Sequence, residues 1–442
     1  MPTFKFPRRS KGSDSRGARS TDQGRSESES VSATLSESEP PSRPIDKKAL
    51  IFGLMAVFLC GLGFTVIAPV VPFLVAPYVD NAGDQALMVT LLTAVYALCV
   101  FLASPGLGAL SDRFGRRPLL LLCLLGSSIG YLIFGIGGAL WILFLGRIIE
   151  GLTGGSIGTI FAYFADITPR EQRTKYFGWV AAMVGVGTML GPVAGGLLAK
   201  FGYAVPLYVG AGITLLTMLF GLFVMPESLD KSRRTAKIPP SRLNPFTQLA
   251  SILSVKSVRR ILISGFLLWI PNGSLQAVFS QFTIDTFDWQ PASIGLMFSI
   301  MGIQDILSQS LIMPKLLKVM NDKQIAALGM TAEIVGYALI ASSALLGFYP
   351  LLILGMFVFG FGDSVFGPSF NGMLSKSVDE SEQGRIQGGS QSIQALARIV
   401  GPIVGGQIYV SLGHAAPAFM GIILIFGAIA VLYRRLPIPS KA

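Results

Sequence analysis

The sequence predicts an all-α integral membrane fold, with twelve transmembrane helices in two pseudosymmetric six-helix halves. Three observations point to it. Of 442 residues, 51% are hydrophobic and 13% charged, against about 25% charged in a soluble domain, and the mean hydropathy is +0.62. Apolar blocks follow one another from Lys48 onward, divided by short polar hinges and one long polar stretch near the middle. A Gly-Pro pattern occurs twice, 210 residues apart. A chain of this composition cannot cover a soluble surface, which excludes a soluble enzyme, a secreted scaffold and a nucleic-acid binder.

Residues 1–46 are rich in Ser, Arg and Glu and nearly free of apolar side chains. Such a segment cannot bury enough surface to offset its ordering entropy and is read as a disordered cytoplasmic tail. Spans are expected near 49–76, 87–109, 118–138, 140–166, 174–199 and 204–225, then 259–284, 291–312, 325–346, 349–375, 386–412 and 414–433. The organisation is thus a tail (1–46), a first half (47–226), a cytoplasmic linker (227–258), a second half (259–435) and a short C-terminus (436–442). Basic residues gather in alternate hinges: Arg113, Arg116 and Arg117; Arg170, Arg173 and Lys175; the linker; Lys315, Lys318 and Lys323; Lys376 and Arg385; Arg434, Arg435 and Lys441. The opposite hinges hold Lys200 beside Asp80, Asp84, Asp285 and Asp288. By the positive-inside rule both termini and the linker are cytoplasmic. The net charge of +11 is then a consequence of topology and calls for no nucleic acid.

The two Gly-Pro patterns run from Gly187 through Gly191-Pro192 to Gly195-Gly196, and through Gly401-Pro402 to Gly405-Gly406. Their recurrence in matching spans marks an internal repeat. Glycines four residues apart give a smooth helix face for close packing, while Pro192 and Pro402 remove a backbone hydrogen bond and bend the span. Plain packing and a gating hinge between the halves both fit. After the second span comes Gly108-Ala-Leu-Ser-Asp112-Arg113-Phe-Gly-Arg116-Arg117. Asp112 can pair with Arg116 at i+4, and Asp166 ends the fourth span at the same level, which suggests a latch between helices.

Ionisable groups inside a membrane are costly and are candidates for function. Here they are Arg147, Glu150, Asp305, Glu333, Asp363 and Arg398. Arg147 and Glu150, at i and i+3, form either a self-neutralised pair or a lever on the acid's proton affinity. In the second half three acids face one arginine. Arg398 can neutralise one of them, Asp305 or Asp363, and the others are candidate proton carriers, because an unpaired buried carboxylate favours its neutral form. Trp269, Asn272 and Gln276 fall at helical spacing on the seventh span. With Tyr96, Tyr163 and Asn371 they are candidates for a substrate cavity of apolar walls and few polar groups. Each could equally serve packing. Acid excess with aromatics suggests an amphipathic, often cationic substrate. Cys60, Cys99 and Cys123 lie in apolar stretches, and His414 is the one histidine. No metal site and no cofactor is expected. Walker A is absent, so ATP hydrolysis is not expected.

These motifs resemble the major facilitator superfamily over residues 48–435. The loop from Gly108 to Arg117 is similar to its signature loop, Leu143-x-x-Gly146-Arg147-x-x-x-Gly151 to its fourth-span motif, and Gly187–Gly196 to the fifth-span motif of its drug:proton antiporters. Segments 161–168 and 378–389 resemble the tetracycline-efflux-like branch. The resemblance implies that Asp112, Arg116 and Asp166 form a cytoplasmic charge relay and that the fold is a monomer; with no retention or transit signal legible, the plasma membrane is the expected location. It also implies that Asp305 and Asp363 sit on cavity-lining spans and Glu333 on a peripheral one. Two positions depart from the branch, Cys60 replacing a first-span acid and Asp305 an eighth-span histidine, while Glu333 keeps the ninth-span acid. The expected function is proton-coupled export of small amphipathic compounds by alternating access. Proton-coupled uptake of an organic solute and a non-transporting receptor of the same fold are the alternatives.

Overall fold

The computed structural model describes residues 47–154, 157–168, 172–234, 244–246, 249, 253, 255–378 and 383–433. The expected disordered tail and most of the linker lie outside the described residues. The described residues form helices and no strands. The spans are α1 (Lys47–Val66), α2 (Ala82–Phe114), α3 (Arg116–Ile136), α4 (Leu140–Ile167), α5 (Arg173–Leu198), α6 (Val205–Val224), α7 (Lys256–Phe287), α8 (Pro291–Val319), α9 (Asp322–Leu346), α10 (Tyr349–Lys376), α11 (Gln383–Leu412) and α12 (Ala416–Tyr433). Eleven are long and apolar enough to cross a membrane, and α1 supplies a shorter apolar stretch, Leu50–Gly63. The protein is a multi-pass membrane protein.

Local chemistry sets the ends. Asn81 caps α2 by accepting from the Asp84 amide at 2.8 Å, and Asn321 with Gln324 forms a capping box on α9. Gly115 joins α2 to α3 at φ 111, a conformation that favours glycine. Two spans differ from expectation. The first does not continue unbroken to residue 76. The chain turns after Val66 and resumes as a short helix, Val71–Val75, because Pro69 and Pro72 cannot donate to a continuing helix. The second is 33 residues long, about 50 Å, and so projects past a hydrocarbon core of about 30 Å. Hydropathy marked only its apolar middle.

Packing repeats with a shift of six helices. The pair α1–α5 corresponds to α7–α11, α3–α4 to α9–α10, and α3–α6 to α9–α12. Between the halves the main contacts are α2–α11 and α5–α8, with a smaller one between α2 and α7. They lie at the end away from Arg116. There Ser299 Oγ of α8 donates to the Met189 carbonyl of α5 at 2.5 Å, and Ser280 Oγ of α7 donates to the Ala68 carbonyl at 2.9 Å. Toward the other end, Gly106 and Gly108 of α2 and Gly178 and Gly185 of α5 have open space where a Cβ would stand. The halves are closed at one end and apart at the other.

Candidate functional site

A cavity of about 630 Å³ lies between the halves, with walls from both. Gly273 lets the wall form. A Cβ there would stand 3.3 Å from the Ala397 carbonyl oxygen and 3.5 Å from the Arg398 Cα, so α11 lies close against α7. Tyr96, Arg147 and Glu150 line the first-half wall, and Gln276, Gln391 and Arg398 the second.

On the first half, Arg147 Nη1 meets Glu150 Oε2 at 2.8 Å, both residues buried. The guanidinium lies 5.2 Å from the centre of the Tyr96 ring and 5.3 Å from that of Phe134, a cation–π arrangement. Glu150 Oε1 has no partner in hydrogen-bonding geometry, with Tyr131 close by. The i,i+3 pair expected from sequence is therefore present.

On the second half the charges are arranged otherwise than expected. Arg398 forms no ion pair with a described acid. Asp305 instead accepts from Gln309 Nε2 at 2.8 Å, and Asp363 from Asn272 Nδ2 at 3.0 Å. Arg398 and Asp305 act on Asp363 only at longer electrostatic range. The reason is register: on α7 and α8 an amide stands close to each carboxylate, and Arg398 is left facing the cavity. Glu333 is fully buried, neither oxygen meets a donor in hydrogen-bonding geometry, and Asn272 and Asp363 are its polar neighbours. Asp305, Asp363 and Glu333 form a cluster beside the cavity rather than in its lining.

Of the substrate candidates, Tyr96 and Gln276 line the cavity. Asn272 holds Asp363 and accepts from the Tyr337 hydroxyl at 3.0 Å. Trp269 packs edge-on against Phe370, ring centres 4.7 Å apart, in the core of the second half. Tyr163 is 1% exposed and sits in a first-half cluster with Phe52 and Phe164. Asn371 is exposed near the end of α10, outside the cavity. Sequence reasoning missed Gln391, and Thr65 and Thr188, which also line the cavity and are joined by a bond from Thr65 Oγ1 to the Thr188 carbonyl at 3.1 Å. Gln391 lies seven residues, two helical turns, before Arg398 and could have been found by that spacing.

The loop charges come together. Arg116 meets Asp112 at 2.7 Å and Asp166 at 3.3 Å and bonds to the Ser111 hydroxyl. The start of the linker joins them, a contribution the sequence did not suggest. Glu227 Oε1 accepts from the Arg116 amide at 2.9 Å, and Ser228 Oγ donates to Asp166 at 3.3 Å.

Each Gly-Pro helix has two faces. Gly187, Gly191 and Gly195 lie against α1, and Gly401 and Gly405 against α7, within their own halves. Gly196 meets α8, where a Cβ would stand 2.5 Å from the Pro291 carbonyl oxygen, and Gly406 meets Thr90 of α2. The carbonyl of Pro192 touches Gly295 of α8, and both Pro192 and Pro402 line the cavity.

Known proteins share this sequence and fold. The chain is 36% identical over 382 residues to the tetracycline resistance protein, class C, of Escherichia coli, covering 86% of this chain and 93% of the relative. It is 29% identical to multidrug resistance protein 2 of Bacillus subtilis (strain 168), covering 86% and 94%. The crystal structure of the human organic anion transporter MFSD10 (TETRAN) superposes with a TM-score of 0.66 at 21% identity, covering 89% of this chain and all of that one. The sequence model of the Major Facilitator Superfamily matches residues 53–284 and 261–442, and with a repeated six-helix half around a central cavity the chain belongs to that superfamily.

Proposed function

We propose that the protein exports small amphipathic compounds in exchange for protons by alternating access, as a monomer in the plasma membrane with both termini cytoplasmic. The observation that carries this is the acid cluster beside the cavity. Glu333 is buried without a donor, Asp363 is held by one amide bond, and Asp305 lies within electrostatic range of Asp363. Bare carboxylates in a membrane are costly, and a transporter that moves protons has use for them. The relatives' names, tetracycline and multidrug resistance proteins, favour efflux.

With the basic hinges inside, the open end faces the cytoplasm and the closed end faces outward. Substrate enters from the cytoplasm into the cavity. Rocking of the halves about the α2–α11 and α5–α8 contacts opens the far end, where the acids take up protons and substrate leaves. Return to the inward-facing state carries the protons in. Gly196 and Gly406 are the close-packed points of the outer contact, and the Asp112–Arg116–Asp166–Glu227 cluster ties α2, α3, α4 and the linker together at the cytoplasmic end. The Arg147–Glu150 pair is a second proton-linked group on the opposite wall.

The test is uptake of tetracycline or a lipophilic cation into proteoliposomes under an imposed pH gradient. Accumulation on the acidic side that collapses with a proton ionophore supports antiport. Accumulation on the alkaline side would mean uptake, and absence of flux would mean a receptor.

A further inference from the structure

Part of the linker bridges the two halves. Asn244 Oδ1 accepts from the Phe246 amide at 2.9 Å, and the ring of buried Pro245 fixes the backbone between them. The Phe246 ring meets Phe101 of α2 edge-on, ring centres 5.5 Å apart. Leu249, Leu253 and Val255, a few residues further along, pack against the core of the second half. One short stretch thus touches both halves. Phe101 is 4% exposed and stands about three helical turns beyond Thr90. That places it on the α2 face that meets Gly406 of α11 at the closed end. The same face runs on to Gly108, where a Cβ would meet nothing within 4 Å. Phe246 therefore sits on the side of α2 turned toward the second half, at the open end.

We infer that Phe246 is a stop that holds the cytoplasmic end apart, because on Phe101 it takes the place α11 needs when the halves close. Rocking about the outer contact brings α11 onto the α2 face that carries Thr90, Phe101 and Gly108, and the two rings must part before it can seat. The aromatic pair is made in the inward-open state and lost in the other. A contact that differs between two states shifts their equilibrium by that difference, here about two- to tenfold toward inward-open, the worth of an aromatic pair. The linker is tied on both sides of the stop. Glu227 accepts from the Arg116 amide at 2.9 Å and pairs with Arg234 at 3.5 Å, while Leu249 and Leu253 hold to the second half. A displaced Phe246 thus stays near the cleft and reseats when it reopens. This rests on the alternating-access reading and deepens it, since the linker sets the resting population of the two states.

The test uses the full-length protein in nanodiscs, with Cys60, Cys99 and Cys123 replaced by alanine and spin labels placed in pairs at both ends. Phe246→Ala should shorten distances between the cytoplasmic starts of α3 and α9 and lengthen those between α5 and α8 at the outer end. The ratio of inward-open to outward-open molecules is expected to fall about two- to tenfold. Phe246 is 54% exposed, so its truncation leaves the core intact, and Phe246→Trp should restore the wild-type distribution. Phe101→Cys combined with Phe246→Cys, joined by a short bifunctional thiol reagent, should remove the outward-open population. Wild-type distances in Phe246→Ala, a cysteine pair that cannot be joined, or a joined protein that still reaches the outward-open state would each overturn the inference. The distances need neither ligand nor gradient. A protein whose distances shift as expected, but whose tetracycline flux ignores a pH gradient, would contradict antiport and leave the stop standing.

Discussion

Asn272 and Asp363 are bound to each other across α7 and α10. The Nδ2 of the amide donates to Oδ1 of the carboxylate at 3.0 Å, while the amide oxygen accepts from the Tyr337 hydroxyl at 3.0 Å. With its oxygen engaged, Asn272 presents only N–H to Asp363, an arrangement that serves a carboxylate acceptor. A proton added to that oxygen weakens it as an acceptor and makes it a donor. The protonation state of an acid on α10 is thereby felt by α7, one helical turn from cavity-lining Gln276.

Asp363→Asn and Glu333→Gln should each uncouple transport. Flux driven by a pH gradient is expected to fall about a hundredfold, the scale of losing a proton-transfer group, while substrate binding persists. Gradient-driven flux and counterflow, measured on the same proteoliposomes, separate the two effects. A variant that keeps wild-type coupling removes that acid from the mechanism.

The Arg147–Glu150 pair is buried and self-neutralised, so its part in proton movement is separable from its part in stability. Removing one partner leaves a buried charge alone, so Glu150→Gln or Arg147→Met should cost about 3–5 kcal/mol. Replacing both by apolar residues of similar size should restore most of the stability. If the double variant melts like wild type and still couples protons, the pair is structural only. Restored stability with lost coupling assigns it a part in proton movement.

Gly196 and Gly406 should hold the outward end closed. Valine at either would push into Pro291 or Thr90 at a cost of about 1–3 kcal/mol, moving the population toward the outward-open state. Distances between spin labels on α5 and α8 near that end should lengthen. Unchanged distances would assign these glycines to other packing.

Cys60 borders the cavity, Cys123 is 2% exposed, and Cys99 is half-buried outside the lining. A charged thiol reagent should therefore label Cys60 first, and bound substrate should slow the reaction. Labelling that is the same in Cys60→Ala, or indifferent to ligand, would put this thiol outside the pathway.

The fold was readable because a bilayer imposes one rule on every span, and because the repeated Gly-Pro segments declare two equivalent halves. The loop cluster was readable for a different reason: Asp112 and Arg116 are near in sequence, so helical geometry alone brings them together. What could not be read depends on contacts between helices far apart in sequence. Arg398 was expected beside an acid, yet Asn272 reaches Asp363 from α7 instead, a matter of how α7 is rotated. Tyr163 and Trp269 looked like cavity aromatics, but periodicity does not say which face of a helix that is apolar all round turns inward. Glu227, in a polar stretch assigned to the linker, docks on the Arg116 amide because Gly115, at φ 111, leaves room where a Cβ would strike its carboxylate.

The most direct test of proton-coupled exchange is proton release when ligand binds to purified protein in weakly buffered detergent solution. Proton-coupled exchange predicts that tetracycline or a lipophilic cation releases protons, and that the release is lost in Asp363→Asn or Glu333→Gln. Saturable binding with no change in proton concentration in the wild-type protein would contradict it.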